Sequence, residues 1–397
     1  MKAISAFSFV LTLVILLGFS HRSSRQDPSL PDLSDTLYKG ILVNPDAEGI
    51  FSLSDIADSI WMTPLATNPD GLLTSPQKIL IDNNKFFMME NEQEEAVFCY
   101  SIEGDFLFKI DRKGRGPGEY SLLGDFTLDR ANKKLILSDR NSQTLLLFDY
   151  NGQYEKTIKT ELYFEFLAYL EGTRLLLLTQ YQPNPKLPPN KHKQVLIYDY
   201  EKNEVVDGYL QFDGDKDTFL NLVGPLNGFS ESATKTYFII PGENSIWTMT
   251  EGGISEFLNI SFGKKAFPNG YLDKYTYGKQ RQLIDNGACA SELVNFQIAG
   301  NWLIGIYNYM ESSPVIFFNY RTGQFFSTRK MIKNDIGDFP VVAMPPFHTD
   351  GKTLITAMSS ELISVLAANP KAKALIPPEL SSIEDGDAPI LQFIRLK

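Results

Sequence analysis

Between Gly114 and Gly152 short apolar runs alternate with polar turn residues in a regular rhythm. The runs Asp125–Leu128, Lys134–Ser138 and Thr144–Phe148 are separated by Arg130-Ala131-Asn132 and Asp139-Arg140-Asn141, and closed by Asn151-Gly152. Runs of this length bounded by Asn, Asp and Gly predict strands joined by tight turns, since those residues accept the backbone conformations a reversal demands. A fourth run, Tyr154–Thr160, completes a four-stranded antiparallel meander of the size of one propeller blade.

The same pattern recurs along the chain. Blade one is predicted over Ile79–Asp82, Lys85–Met89, Val97–Tyr100 and Phe106–Ile110. Its Asp82 and Gly104 stand 47 and 48 residues before Asp129 and Gly152, a self-similarity expected of a repeat architecture. Blade three is predicted over Phe164–Leu170, Leu175–Thr179, Val195–Tyr198 and Val205–Leu210. Blade four takes Leu222–Phe229, Thr236–Ile240, Ser245–Met249 and Ile254–Ile260. Blade five takes Leu293–Ala299, Trp302–Tyr307, Pro314–Asn319 and Gln324–Thr328. Blade six has Val341–Pro345, Thr353–Met358 and Pro389–Leu396, which leaves it one strand short. Ser59–Leu65, which has no partner of its own ahead of blade one, is expected to fill that place and close the ring without an open edge. The fold class is all-β, a six-bladed propeller of four-stranded antiparallel blades, with seven blades as the alternative.

The Gly-rich lead (Gly114, Gly116, Pro117, Gly118, Glu119, Tyr120), the strand ending in Asp129, the Asp139-Arg140-Asn141 turn, and Leu147-Phe148-Asp149 with Gly152 resemble an NHL repeat. GRGPGEY, ENSIWTMTEGGI (Glu243–Ile254) and the terminal PILQFIRLK together resemble the six-bladed β-propeller lipoproteins of Bacteroidetes, from about Ile50 to Lys397. The resemblance implies an exported propeller and supplies no biochemical role.

Export has its own signal. Lys2, an apolar stretch from Phe7 to Phe19, and Gly18 and Ser20 ahead of a cleavage point make residues 1–20 a secretory signal peptide, with 21–49 an exposed leader and 50–397 one propeller domain. Leu17-Gly18-Phe19-Ser20-His21 has no Cys where a lipoprotein signal places one, so a periplasmic or envelope-associated protein is expected, with a tethered form as the alternative. The formal charge of −11 becomes −12 on loss of Lys2, which argues against nucleic acid as a partner. Cys99 and Cys289 read as small buried hydrophobes, with a disulfide as the alternative. The acidic run Glu90–Glu95 reads as a solvated turn. Three histidines with no zinc spacing predict no metal and no cofactor.

In a blade with strands A to D, B–C turns and blade-to-blade links share one face. The long insertions, Tyr181–Lys193, Gly263–Glu292 and Ser360–Asp387, are all of these two kinds, and short helices are expected at Tyr275–Ile284 and Glu361–Ala368. Elaborated loops on a rigid scaffold carry function, which puts a binding site on that face, at the mouth of the channel. The candidate residues are Arg112, Arg115, Glu119, Tyr120, Asp139, Arg140, Asn141, Tyr181, Asn244, Tyr307 and Asn308. Arg115 and Arg140 are suited to a carboxylate or sulfate, Tyr181 and Tyr307 to a sugar or peptide ring. A scaffold role is weighed against this for Gly114, Gly116, Gly118, Asp139 and Asn141.

The expected partner is a glycan, peptide or protein bound by a monomer. Two other readings stand beside it: a glycan- or peptide-cleaving enzyme using Glu119 and Asp139, and a structural component of an outer-membrane complex.

Overall fold

The computed structural model describes residues 37–47, 51–68, 73–91, 93–214, 218, 227–232, 235–250, 252–329, 332–337, 347–368 and 376–397. Strand β1 (Gly40–Leu42) is followed by β2 (Ala57–Pro64). Blade one is β3 (Lys78–Asp82), β4 (Lys85–Glu90), β5 (Ala96–Ser101) and β6 (Phe106–Ile110). Blade two is β7 (Leu123–Asp129), β8 (Lys134–Asp139), β9 (Thr144–Asp149) and β10 (Tyr154–Lys159). Blade three is β11 (Phe166–Glu171), β12 (Arg174–Leu178), β13 (Lys193–Asp199) and β14 (Glu204–Gln211). Blade four is β15 (Phe229–Glu231), β16 (Thr236–Ile239), β17 (Ser245–Thr250) and β18 (Gly253–Ser261), and blade five is β19 (Leu293–Ala299), β20 (Trp302–Tyr307), β21 (Val315–Asn319) and β22 (Phe325–Thr328). Blade six is β23 (Phe347–Thr349), β24 (Thr353–Met358) and β25 (Ile390–Leu396), with β2 as its outermost strand.

The protein is therefore a six-bladed propeller, closed as the strand count requires. β2 runs antiparallel to β25 with Ile60 opposite Ile394 and Trp61 opposite Phe393, and the Trp61 and Phe393 rings stack 5.2 Å apart. Beyond the sequence reading, β1 pairs in parallel with β18 and gives blade four a fifth strand.

Continuous apolar runs in the middle strands follow from blades packing face to face, which buries both sides of a strand. Leu146 and Phe148 of β9 pack with Phe87 and Cys99 of blade one, while Leu145 and Leu147 pack with Leu175 and Leu196 of blade three. Outermost strands have one wet face, so β10 alternates Lys, Thr and Glu with Tyr154 and Ile158. Cys99 and Cys289 are both buried free thiols.

On the short-turn face the repeated aspartates act as latches. Tyr150 of blade two donates to Asp82 Oδ2 of blade one at 2.9 Å, and Tyr200 of blade three donates to Asp129 of blade two. The Asp82/Asp129 repeat is thus the acceptor half of a contact between successive blades.

Two inner strands differ from expectation. Val341–Pro345 lies outside the described residues, as does most of Leu222–Phe229; the inner strands described are β23 and β15. Both carry polar residues (Ser230, Glu231, His348, Thr349) because they face the axis, and apolar patterning points to their neighbours instead. The turn after β4 is also not simply solvated: Glu90 is fully buried and accepts from Thr74 Oγ1 at 3.1 Å.

Candidate functional site

The axis is filled by side chains of the innermost strands. Lys78 of blade one is buried, and its Nζ lies 3.2 Å from Asp125 Oδ1 of blade two, 2.9 Å from Glu231 Oε1 of blade four and 3.2 Å from the Leu167 carbonyl of blade three. Asp125 also accepts the Leu167 N–H at 2.9 Å. Thr127 donates to Glu231 Oε2 at 2.9 Å, Ser230 donates to Gln297 Oε1 of blade five at 3.1 Å, and His348 Nδ1 of blade six accepts from the Ile79 N–H at 3.0 Å. Every blade contributes to this polar plug. Burial alone lowers the Lys78 pKa, but the charges of Asp125 and Glu231 outweigh it and hold the ammonium above its usual range. Nothing in apolar patterning marks this network; the only signal is a charged or hydroxyl residue inside a strand that otherwise reads as core.

The loop-rich face is built as the topology requires, with Tyr181–Lys193 and Ser360–Asp387 between the second and third strands of their blades and Gly263–Glu292 between blades. Helices α1 (Tyr277–Asp285) and α2 (Ser360–Ala368) sit in these insertions.

The predicted residues fall into three places. On blade two, Tyr120 is fully buried and its hydroxyl donates to the carbonyls of Glu95 and Ile110. Glu119 turns back to accept the Gly116 N–H at 2.7 Å. Gly118 has φ +75°, and a Cβ there would meet the Tyr154 ring at 2.8 Å, so this turn demands glycine.

Asp139 accepts from the backbone of Ser121, Leu122, Asn141 and Ser142. Burial opposes its charge, yet these bonds keep its pKa low. Arg140 pairs with Glu165 at 2.6 Å, Arg112 lies over the Phe148 ring, and Arg115 is exposed.

On blade five, Tyr307 is buried against Phe262, and Asn308 receives the Ser313 hydroxyl at 3.0 Å. Blades two and five are three steps apart in a ring of six, so these two groups do not converge. Replacing Tyr120 by Phe is expected to cost about 1 kcal/mol through the lost hydroxyl bonds, read as a lower denaturation midpoint.

Tyr181 and Asn244 border a cleft off the axis, above blades three to five. One cavity there, about 320 Å³, is lined among others by Tyr181, Gln194, Phe212, Glu243, Tyr271 and Asp273. Tyr181 donates to the Pro241 carbonyl at 2.7 Å and packs edge-on against Phe212. Sharing Ile240, Glu243 and Tyr271 with that cavity is a pocket of about 30 Å³ that also touches Asn244 and Glu292.

Glu292 Oε2 accepts the Gly242 N–H at 2.7 Å, and Tyr271 bonds the same carboxyl. Burial, with the Glu243 charge adding to it, nevertheless pushes the Glu292 pKa up to about 7. Glu243 is also raised, by burial and then by Glu256. Sequence reasoning missed Glu243 and Glu292 because each sits at the edge of a strand segment where an acid normally faces water.

A family profile described as a domain of unknown function, DUF4934, matches residues 43–395. The chain belongs to the DUF4934 family. Among solved structures, this DUF4934 propeller is similar to a protein of Bacteroides fragilis NCTC 9343 inferred to be exported, with TM-score 0.70 and 16% identity over 89% of this chain and 98% of that one. It also matches a member of the DUF4221 family from Bacteroides vulgatus ATCC 8482, with TM-score 0.47 and 10% identity over 86% and 97% of the two chains. No curated protein matches the DUF4934 chain. No helix among its described residues is long and apolar enough to cross a membrane. No group of three or more metal-ligating side chains is found among them either.

Proposed function

We propose that this protein is an exported binding propeller that takes a carbohydrate into the cleft above blade four. The observation that carries this is the lining of the cleft. The Tyr181 and Phe212 rings stand beside the amide of Gln194 and the carboxyls of Glu243 and Asp273, in about 320 Å³ on the insertion-bearing face. Aromatic faces against sugar C–H surfaces, with amides and carboxylates for hydroxyls, are the usual chemistry of such sites.

Export rests on residues 1–20 as a signal peptide and on the Bacteroides neighbour, with residues 50–397 taken as the propeller domain. The NHL-like character of the Gly-rich loop belongs to this reading, and the missing Cys near Ser20 favours a protein free in the envelope over a lipid-anchored one.

A glycan array followed by titration calorimetry tests the reading. Tyr181→Ala is expected to weaken the best ligand at least about tenfold, the scale of one lost stacking contact, with Arg115→Ala on blade two as an unaffected control. Equal binding by the Tyr181 variant, or no glycan bound at all, overturns it. Glu292, holding a proton near neutral pH beside Glu243, supports hydrolysis of the bound glycan as a second reading. Product release from the array hits, abolished in Glu292→Gln, distinguishes it from binding alone.

A further inference from the structure

Among the described residues, blade four is the one blade with a fifth strand. The ring is closed by β2 on β25, and blade four has four strands of its own, β15 to β18, so β1 is needed for neither. It lies in parallel on the outer edge of β18, with Ile41 opposite Ile260. Its segment is bonded to blades four and five. The Asn259 N–H donates to the Lys39 carbonyl at 2.9 Å, the Val43 N–H to the Ser261 carbonyl at 2.7 Å, and the Tyr38 N–H to the Tyr320 carbonyl of blade five at 2.8 Å.

Side chains decide which sequence fits this edge. Tyr38 stands edge-on to Phe318 at 6.2 Å and lies over Gly323. Gly323 has φ +75°, and a Cβ on it would come within 2.5 Å of the Tyr38 ring, so the slot requires glycine. Ile41 and Val43 belong to the same buried cluster as Leu258, Ile260 and Phe318. At the far end Asp46 accepts from the Tyr309 hydroxyl and lies 3.4 Å from Lys265 Nζ, while Arg329 donates to the Pro45 carbonyl at 2.7 Å. The hydroxyl bond, helped by Lys265 and Arg329, outweighs burial and holds the Asp46 carboxyl below its usual range.

Strand pairing along an edge, with sockets for particular side chains, is how a sheet recognises an extended peptide. We propose that residues 38–46 are a detachable strap, a peptide of this chain bound to its own blade, whose release leaves the propeller folded and opens a site for the same strand of a second copy. Beyond the strap the chain is fixed afresh, since Phe51 stacks on Phe326 at 4.8 Å, and release therefore stops short of β2. Asp46 is the latch. Its side chain is 53% exposed, and its partners have another acceptor: Tyr309 and Lys265 also reach the Gly287 carbonyl, at 3.2 and 2.7 Å.

The test uses the full chain. Hydrogen exchange at the Tyr38 and Val43 amides is expected to outpace that in β8 and β9 of blade two at least about tenfold, as a locally opening segment does. Asp46→Lys, which sets a third cation beside Lys265 and Arg329, is expected to speed it about tenfold more, the scale of one charge-assisted bond. The double variant Val43→Asp/Asp46→Lys is expected to lose strap protection altogether and still to unfold cooperatively. A labelled peptide of residues 37–47, standing in for the second copy, is expected to bind this double variant and raise its melting midpoint. It is expected not to bind the wild type, where the tethered strap competes at a far higher effective concentration. A peptide of scrambled order is expected to bind neither.

Strap exchange no faster than that of β8 and β9, or loss of cooperative unfolding in the double variant, makes these residues an integral part of the fold and overturns the proposal. Exchange unchanged by Asp46→Lys overturns the latch. A double variant that unfolds cooperatively but ignores the peptide, or takes the scrambled one equally well, overturns the site.

Discussion

Lys78→Met is expected to destabilise the propeller by about 3–5 kcal/mol, the cost of breaking a buried ion pair from one side. The ammonium is 3% exposed and touches Asp125, Glu231 and the Leu167 carbonyl, so it joins innermost strands from four of the six blades. Removing it leaves two carboxylates in a place water does not reach. The methionine fills the volume between the Phe126 and Phe229 rings, which now lie 5.7 and 6.0 Å from the ammonium, and so isolates the charge term from a cavity term. Equilibrium denaturation reads the loss. Adding Glu231→Gln to Lys78→Met removes one of the two stranded charges, and its amide oxygen still accepts from Thr127, so the double variant is expected to recover part of the stability. If Lys78→Met costs no more than Lys352→Met on an exposed turn, the plug does not hold the ring together.

How much of this was legible in the sequence depends on which neighbour a residue answers to. The Leu145–Phe148 run, Asn151-Gly152 and the orphan strand before blade one are dictated by local pattern and by the need to leave no open edge, and they led directly to six blades and to β2 beside β25. The Asp82/Asp129 repeat was visible, but its partners, Tyr150 and Tyr200, lie 68 and 71 residues further on and are joined to it only by the stacking of successive blades.

The axis and the cleft were not legible for the same reason. Lys78, Asp125, Glu231 and His348 are far apart in the chain, and each alone looks like an impurity in a strand. Glu292 becomes unusual only when the Pro241-Gly242-Glu243 turn of blade four is laid against the insertion that precedes blade five. Conversely, Tyr120 and Asp139 attracted attention because their segment is so regular, and regularity there serves the scaffold: the tyrosine binds backbone carbonyls of blade one, and the aspartate binds backbone groups of its own blade's loops.

His348 provides the second large effect, as a dependence on pH. The ring is 2% exposed, and burial followed by the nearby Lys78 charge pushes its pKa down to about 3 from 6.5. Its Nδ1 accepts the Ile79 N–H, so the folded protein holds the neutral ring. The unfolded chain binds a proton below about 6.5 that the folded chain refuses, so stability is fully present above pH 6.5 and is lost as pH falls from there towards about 3. The slope for one such group is about 1.4 kcal/mol per pH unit. In His348→Gln a side-chain carbonyl can take the same N–H without titrating. The free energy of unfolding, measured for both proteins from pH 7 to pH 4, is therefore expected to converge: the wild type is the more steeply acid-sensitive, and its advantage over the glutamine variant shrinks by that amount per unit. Carboxylates common to both proteins cancel in the difference, so parallel curves would show that His348 is protonated in the native state and that the axis admits a second positive charge beside Lys78.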